Sequence, residues 1–191
     1  MTAPATLGTD EARTRLHELT VIDVRTPGEY AGGHLPGALN IPLDRIRKAL
    51  PDIRDAADRG DVLVVCASGA RSENACRLLA EHGVDTATLS GGTGAWAADG
   101  HDLHRPRGAA RATWGMERQV RLTAGTVVLL GLLLGVLVHP AFQLLSAGIA
   151  TGLVFSAVTD TCGMAAVLAG LPHNRPRAAD LEATLAALRA R

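Results

Sequence analysis

The chain is poor in aromatic residues, which make up 3% of its 191 positions. A binding surface built on stacked bases or aromatic anchors is therefore not expected. Neither sign of charge dominates: 19 basic and 19 acidic side chains give a formal net charge of zero. A nucleic-acid binder ordinarily carries a basic surplus, so nucleic acid is not expected as a partner. Cysteine is scarce. Cys66, Cys76 and Cys162 form an odd and widely spaced set, which argues against a disulfide framework. No two of them have C-x-x-C spacing and the histidines are scattered, so no metal and no cofactor is expected. The first ten residues contain neither a basic nor an apolar stretch, so no secretory signal is expected there. The first domain should then stay in the cytosol, where thiols remain reduced.

Charge is also missing from one long stretch. Between Leu122 and Leu171 the only formally charged side chain is Asp160. Two apolar runs, punctuated by Pro140, each approach the roughly 20 residues that cross a ~30 Å hydrocarbon core. They predict a transmembrane hairpin over 119–174, with spans at about 120–138 and 141–159 and lipid as a partner. The alternative, a pair of buried core helices, lacks amphipathic helices to cover it. Arg111, Arg118 and Arg121 precede the first run, Arg175 and Arg177 follow the second, and the turn at His139-Pro140 has no Lys or Arg. The positive-inside rule then predicts an inner-membrane protein with both termini cytoplasmic. Gly131-Leu132-Leu133-Leu134-Gly135 and Gly148-Ile149-Ala150-Thr151-Gly152 are G-x-x-x-G patterns. They suit either close packing within the hairpin or a homodimer through it. Asp160 is expected at the interface, because a carboxylate at the bilayer centre costs roughly 2.5–3.5 kcal/mol on insertion scales. Residues 175–191 predict a cytosolic amphipathic tail helix lying on the surface or the membrane.

Residues 1–105 alternate strand-like and helix-like segments, which predicts an α/β domain with a mostly parallel sheet flanked by helices. Thr9 is the expected N-cap of a helix running to about His17. Strands are expected at 20–24, 39–41, 61–65 and 86–89, with a helix from Leu43 to Leu50 that stops before Pro51. Another helix runs from Arg71 to His82 and is capped by Gly83. Residues 106–118 read as a linker.

Asp61-Val62-Leu63-Val64-Val65 is the strongest strand, a continuous apolar run suited to the centre of a parallel sheet. Cys66 follows it at once. The loop Cys66-Ala67-Ser68-Gly69-Ala70-Arg71 then leads into a helix. Such a loop turns backbone N–H groups inward and forms an anion cradle backed by the helix N-terminus, which favours a thiolate. Gly69 permits the tight path, Arg71 adds fixed positive charge, and Ala67, Ser68 and Ala70 keep the pocket open. The competing reading is a buried structural cysteine after a strand. Asp23 and Arg25 sit at a neighbouring strand end, either in support of the loop or as a structural ion pair. His34 reads as a hydrogen-bonding turn residue, and Cys76 as core.

Four segments in order, Val21-Ile22-Asp23-Val24-Arg25, Glu29-Tyr30, Gly33-His34-Leu35-Pro36-Gly37-Ala38 and the Cys66–Arg71 loop, resemble a single-domain rhodanese. Met116-Glu117-Arg118-Gln119-Val120-Arg121 before the spans and Thr161-Cys162-Gly163-Met164-Ala165 after them are similar to the YgaP type of inner-membrane rhodanese. The resemblance implies a sulfurtransferase. Cys66 would take the outer sulfur of thiosulfate or a similar donor as a persulfide and pass it to cyanide or a thiol. Ala67 stands where the family often carries a basic or bulkier residue, so less positive charge meets a dianionic donor. The related phosphatases hold five residues between Cys and Arg. Here there are four, which suits a single sulfur better than a tetrahedral phosphate. The residues also allow two other readings: a membrane component that exports the product, and a persulfide or nitrosothiol sensor.

Overall fold

The computed structural model describes residues 4–105, 116–159, 163–169, 171 and 178–190. The chain divides into two compact units, 1–113 with 176–191, and 114–175.

In the first unit five parallel strands form one sheet. They are β1 (Ala5–Leu7), β2 (Thr20–Asp23), β3 (Leu39–Asn40), β4 (Val62–Val65) and β5 (Ala87–Leu89), in the order β1-β5-β4-β2-β3. Helices α1 (Thr9–Thr14), α2 (Pro27–Ala31), α3 (Ile46–Arg59) and α4 (Ala70–Ala80) connect them, and α5 (Gly92–Ala98) follows the last strand. β4 lies at the centre, and all four of its residues are buried. Alternation along it divides the core. Val62, Val64 and Cys66 join Ile22, Val24, Ile46 and Ile53 on one face, while Leu63 and Val65 join Val21, Leu35, Leu89 and Trp96 on the other. Cys66 is thereby aimed at the face that carries α3 and α4.

Several boundaries depart from the sequence expectation. β1 forms although nothing in Met1–Asp10 signalled it; it pairs in parallel with β5, Thr6 opposite Thr88, and Leu7 packs on the core. Thr9 is not a cap. Gly8 holds that position, and the Thr9 hydroxyl donates to Asp99 Oδ2 at 2.6 Å, while α1 ends at Thr14. Pro51 does not stop a helix. A 3₁₀ turn at Leu43–Arg45 leads into α3, which carries Pro51 inside it. An interior proline costs about 3 kcal/mol. The stripe Ile46, Ala49, Ile53 and Ala56, each almost wholly buried, offsets that cost. At the end of α4, Gly83 is left-handed at φ +72°, and Val84 N–H returns to the Leu79 carbonyl at 3.0 Å.

The tail helix forms as α9 (Ala178–Arg189) in the same unit. Its apolar stripe does not meet lipid. Leu181, Leu185 and Leu188, spaced four and three apart, are buried in the core cluster beside α3. Arg189 pairs with Asp52, Lys48 Nζ with Glu182 at 3.0 Å, and Arg59 Nη2 donates to the Leu188 carbonyl at 3.0 Å.

The second unit holds α6 (Met116–Leu137), α7 (Gln143–Thr159), which follows a 3₁₀ turn at Pro140–Phe142, and α8 (Gly163–Ala169). Arg118–Leu137 and Pro140–Thr159 are long and apolar enough to cross a membrane. Their apolar side chains face outward, Val136, Leu144 and Val158 among them, which is the reverse of a buried core helix. The first G-x-x-x-G is spent inside the hairpin. A Cβ at Gly131 would strike Ser146 Oγ, and one at Gly135 would lie 2.6 Å from Gln143 Cγ. Ser146 Oγ also donates to the Val128 carbonyl at 2.9 Å, which satisfies its hydroxyl within the pair. Gly148 and Gly152 have nothing within 4 Å. Asp160, Cys162 and most of the expected linker lie outside the described residues.

Candidate active site

Cys66 sits one residue past the end of β4, where the central strand delivers its side chain beneath the N-terminus of α4. It is wholly buried. Its Sγ accepts the Gly69 backbone N–H at 3.1 Å, which requires the loop to fold back on itself. Gly69 makes that return at φ +106°, a conformation closed to side-chain-bearing residues. Ser72 Oγ lies 3.5 Å from the same sulfur. Ala67 is partly exposed, Ser68 and Ala70 are exposed, and none of the three obstructs the loop with a large side chain.

A second turn clamps the loop from behind. Gly91 and Gly92 are both left-handed, and α5 starts there with Thr93 N–H donating to the Cys66 carbonyl at 2.8 Å and Gly94 N–H to the Ala67 carbonyl at 3.0 Å. Gly92 approaches so closely that a Cβ would come within 2.8 Å of the Ala67 carbonyl carbon. The Cys66 and Ala67 carbonyls are thus held by the start of α5, while the Gly69 N–H is turned to the sulfur.

Arg71 is not a free cation over the thiol. Its Nη1 and Nη2 donate to Glu29 Oε2 at 2.9 Å and Oε1 at 2.8 Å, a bidentate pair. Glu29 is itself buried and closes a capping box with Thr26 at the start of α2. Burial alone would lower the Arg71 pKa, but Glu29 above all, then the charges of Cys66 and Asp23, hold it above its ordinary value. Arg71 therefore clasps the loop to α2, and much of its charge is spent on Glu29. Asp23 and Arg25 form a buried pair of their own. Arg25 Nη2 donates to Asp23 Oδ2 at 2.6 Å and to the Gly33 carbonyl at 2.8 Å. Asn40 Nδ2 ties the same strand ends through the carbonyls of Asp23 and Arg25, at 2.9 Å each.

His34 stacks on Tyr30 with ring centroids 3.6 Å apart, its Nδ1 lies 2.9 Å from the Tyr30 carbonyl, and its backbone pairs with His104. Burial, more than any other cause, lowers its pKa. Cys76 is packed in the core, and burial pushes its thiol pKa up. Among the described residues no cluster of three or more His, Cys, Asp or Glu could hold a metal. Sequence reading quoted Glu29 only within the Glu29-Tyr30 segment, with no role beside the loop, and did not single out Ser72, Thr88 or Gly92. Thr88 left a signal, a polar residue at an apolar-face position of a strand, and Gly91-Gly92 another, two adjacent glycines after a strand.

Residues 8–99 match the rhodanese-like domain, and residues 115–177 match the transmembrane domain of the inner membrane protein YgaP-like family. An uncharacterised Synechocystis protein is 36% identical over 156 residues, covering 81% of this chain and 84% of its own. A sulfurtransferase of Allochromatium vinosum is 39% identical over 92 residues, 48% of this chain and 83% of its own. Thiosulfate sulfurtransferase PspE of Escherichia coli is 40% identical over 75 residues, 37% of this chain and 67% of its own. The chain belongs to the rhodanese-like family, as a membrane-anchored single-domain member with a YgaP-like transmembrane hairpin. It is accordingly an inner-membrane protein of a sulfurtransferase family. The tail helix α9 lies beyond both matched regions.

Proposed function

We propose that the protein is a sulfane-sulfur transferase in which Cys66 carries the sulfur as a persulfide. The observation that carries this reading is the Cys66 sulfur held under the Gly69 N–H, in a loop with four residues before Arg71. The thiolate attacks the outer sulfur of a donor such as thiosulfate. The S–S bond of the donor breaks, sulfite leaves with the electron pair, and Cys66 retains S–S⁻. Cyanide or a thiolate then attacks the outer sulfur, leaves as thiocyanate or a new persulfide, and returns Cys66 to the thiolate. Charge is conserved at both steps, and the loop amides stabilise it throughout.

Thiosulfate is the reference donor, by analogy with the named relative from Escherichia coli. Because Arg71 is paired with Glu29 and residue 67 is alanine, the loop offers a dianion little net positive charge. We place the domain and both termini on the cytoplasmic side. The arginines flanking the spans favour it, and α9 belongs to the same compact unit as Cys66, so two crossings return the chain to the side it left.

The test uses purified full-length protein with thiosulfate and cyanide, following thiocyanate. Wild type should form it and Cys66→Ser should not. A wild type that forms none refutes sulfur transfer, and activity retained in Cys66→Ser refutes the site.

A further inference from the structure

Behind Cys66 lies a pair of buried hydroxyls that the loop itself does not need. Thr88 is the middle residue of β5. Its neighbours Ala87 and Leu89 pack on the opposite core face, so Thr88 projects to the face of Val64 and Cys66, directly across from Val64 in the register. It is 1% exposed, and Ser72 on α4 is fully buried. Thr88 Oγ1 donates to Ser72 Oγ at 2.6 Å. Ser72 Oγ in turn has two acceptors, the Gly69 carbonyl at 2.8 Å and Cys66 Sγ at 3.5 Å.

A hydroxyl has one proton and can serve one of these at a time. The Gly69 carbonyl already accepts the Glu73 N–H at 2.9 Å, so it stays satisfied when Ser72 turns away. Thr88 fixes the Ser72 oxygen as an acceptor, which leaves rotation of the Ser72 proton as the remaining freedom. A hydrogen bond to an ionised acceptor is stronger than one to a neutral carbonyl, so the charge on the sulfur decides where the proton points.

We infer that Ser72 is a catalytic residue whose hydroxyl donates a hydrogen bond to the Cys66 thiolate, and that Thr88 is the positioning residue that holds it there. The proton points to Gly69 while Cys66 is a neutral thiol, swings to Sγ in the thiolate, and swings back once the negative charge has moved to the outer sulfur of the persulfide. No covalent bond is made or broken in the swing. The inference rests on the persulfide reading for its last stage only, since the first stage concerns the thiolate itself.

The test measures iodoacetamide alkylation of Cys66 at neutral pH in the full-length protein, read from the Cys66 peptide by mass spectrometry. Ser72→Ala should slow it about tenfold, the loss expected of one hydrogen bond to a charged acceptor. Thr88→Val keeps the side-chain shape and should slow it about threefold, a fraction of that bond's worth. Thr88→Ser should restore the wild-type rate, and the double variant should be no slower than Ser72→Ala. Wild-type alkylation in a folded Ser72→Ala overturns the role of Ser72. If Ser72→Ala fails to fold, a Thr88→Val rate equal to wild type overturns the inference by itself. Thr88→Ser as slow as Thr88→Val, or effects that multiply in the double variant, overturn the relay. Absence of thiocyanate from wild type would overturn sulfur transfer while leaving the alkylation comparison readable.

Discussion

Cys66 and Cys76 belong to the same core cluster, ten residues apart, and each is almost completely buried. Their surroundings differ in the direction of the hydrogen bonds. Cys66 receives them, from the Gly69 N–H and within reach of the Ser72 hydroxyl. Cys76 gives one, its Sγ lying 3.6 Å from the Ala87 carbonyl, and burial there raises its pKa. Depth alone therefore does not distinguish the two thiols. What separates the two is a loop of small side chains that turns the Gly69 amide onto the sulfur, against a helix whose carbonyls and amides already serve each other.

The comparison breaks first at the sulfur atoms themselves. Cys66→Ser should abolish thiocyanate formation, while Cys76→Ser should leave it within about twofold of wild type, as expected for a small change at a merely packed site. Glycine substitutions sharpen it next. Gly92→Ala forces a Cβ against the loop carbonyls at φ +59° and should lower activity more than tenfold, at a cost of roughly 1–3 kcal/mol in stability. Gly83→Ala, at φ +72° in open space beyond Cys76, should cost about 1–2 kcal/mol and leave activity intact. Activity assays with thermal or urea unfolding read both quantities.

A change in the core the two cysteines share should treat them alike. Leu185→Ala in α9 should destabilise the catalytic unit by about 2–4 kcal/mol, without altering the ratio of Cys66 to Cys76 alkylation in the folded protein. The smallest effect concerns pH. His34 has its pKa lowered by burial, so between its folded value and the unfolded value near 6.5 the unfolded chain holds a proton that the folded chain does not. Stability should fall as pH drops below about 6.5, and His34→Gln should flatten that slope in urea titrations at several pH values.

Most of the Cys66 side of this comparison was legible in the residues. A continuous apolar strand followed at once by Cys66, then Gly69 and a helical pattern, is local information, and it located the loop. Contacts across long separations were not legible. Glu29 is 42 residues from Arg71 and stands in the sequence only as half of a two-residue motif segment, yet it takes up the guanidinium. Thr88 meets Ser72 because β5 pairs with β4, a register that no local pattern states. β1 escaped notice because an edge strand of three residues, two of them exposed, has no apolar pattern to display. The tail helix showed its leucine stripe plainly, but a stripe says that something covers it and not what; the cover is α3, more than 120 residues earlier. Pro51 misled for a related reason, since its local cost is outweighed by burial that the local sequence does not reveal.

The most direct test of the central claim follows the sulfur. The full-length protein is incubated with thiosulfate, freed of excess donor, alkylated, digested and mapped by mass spectrometry. The account expects one added sulfur on the Cys66 peptide and none on the Cys76 peptide. Added sulfur on Cys76, or a Cys66 peptide that never gains it, would contradict the claim that the loop and not burial makes the reactive thiol.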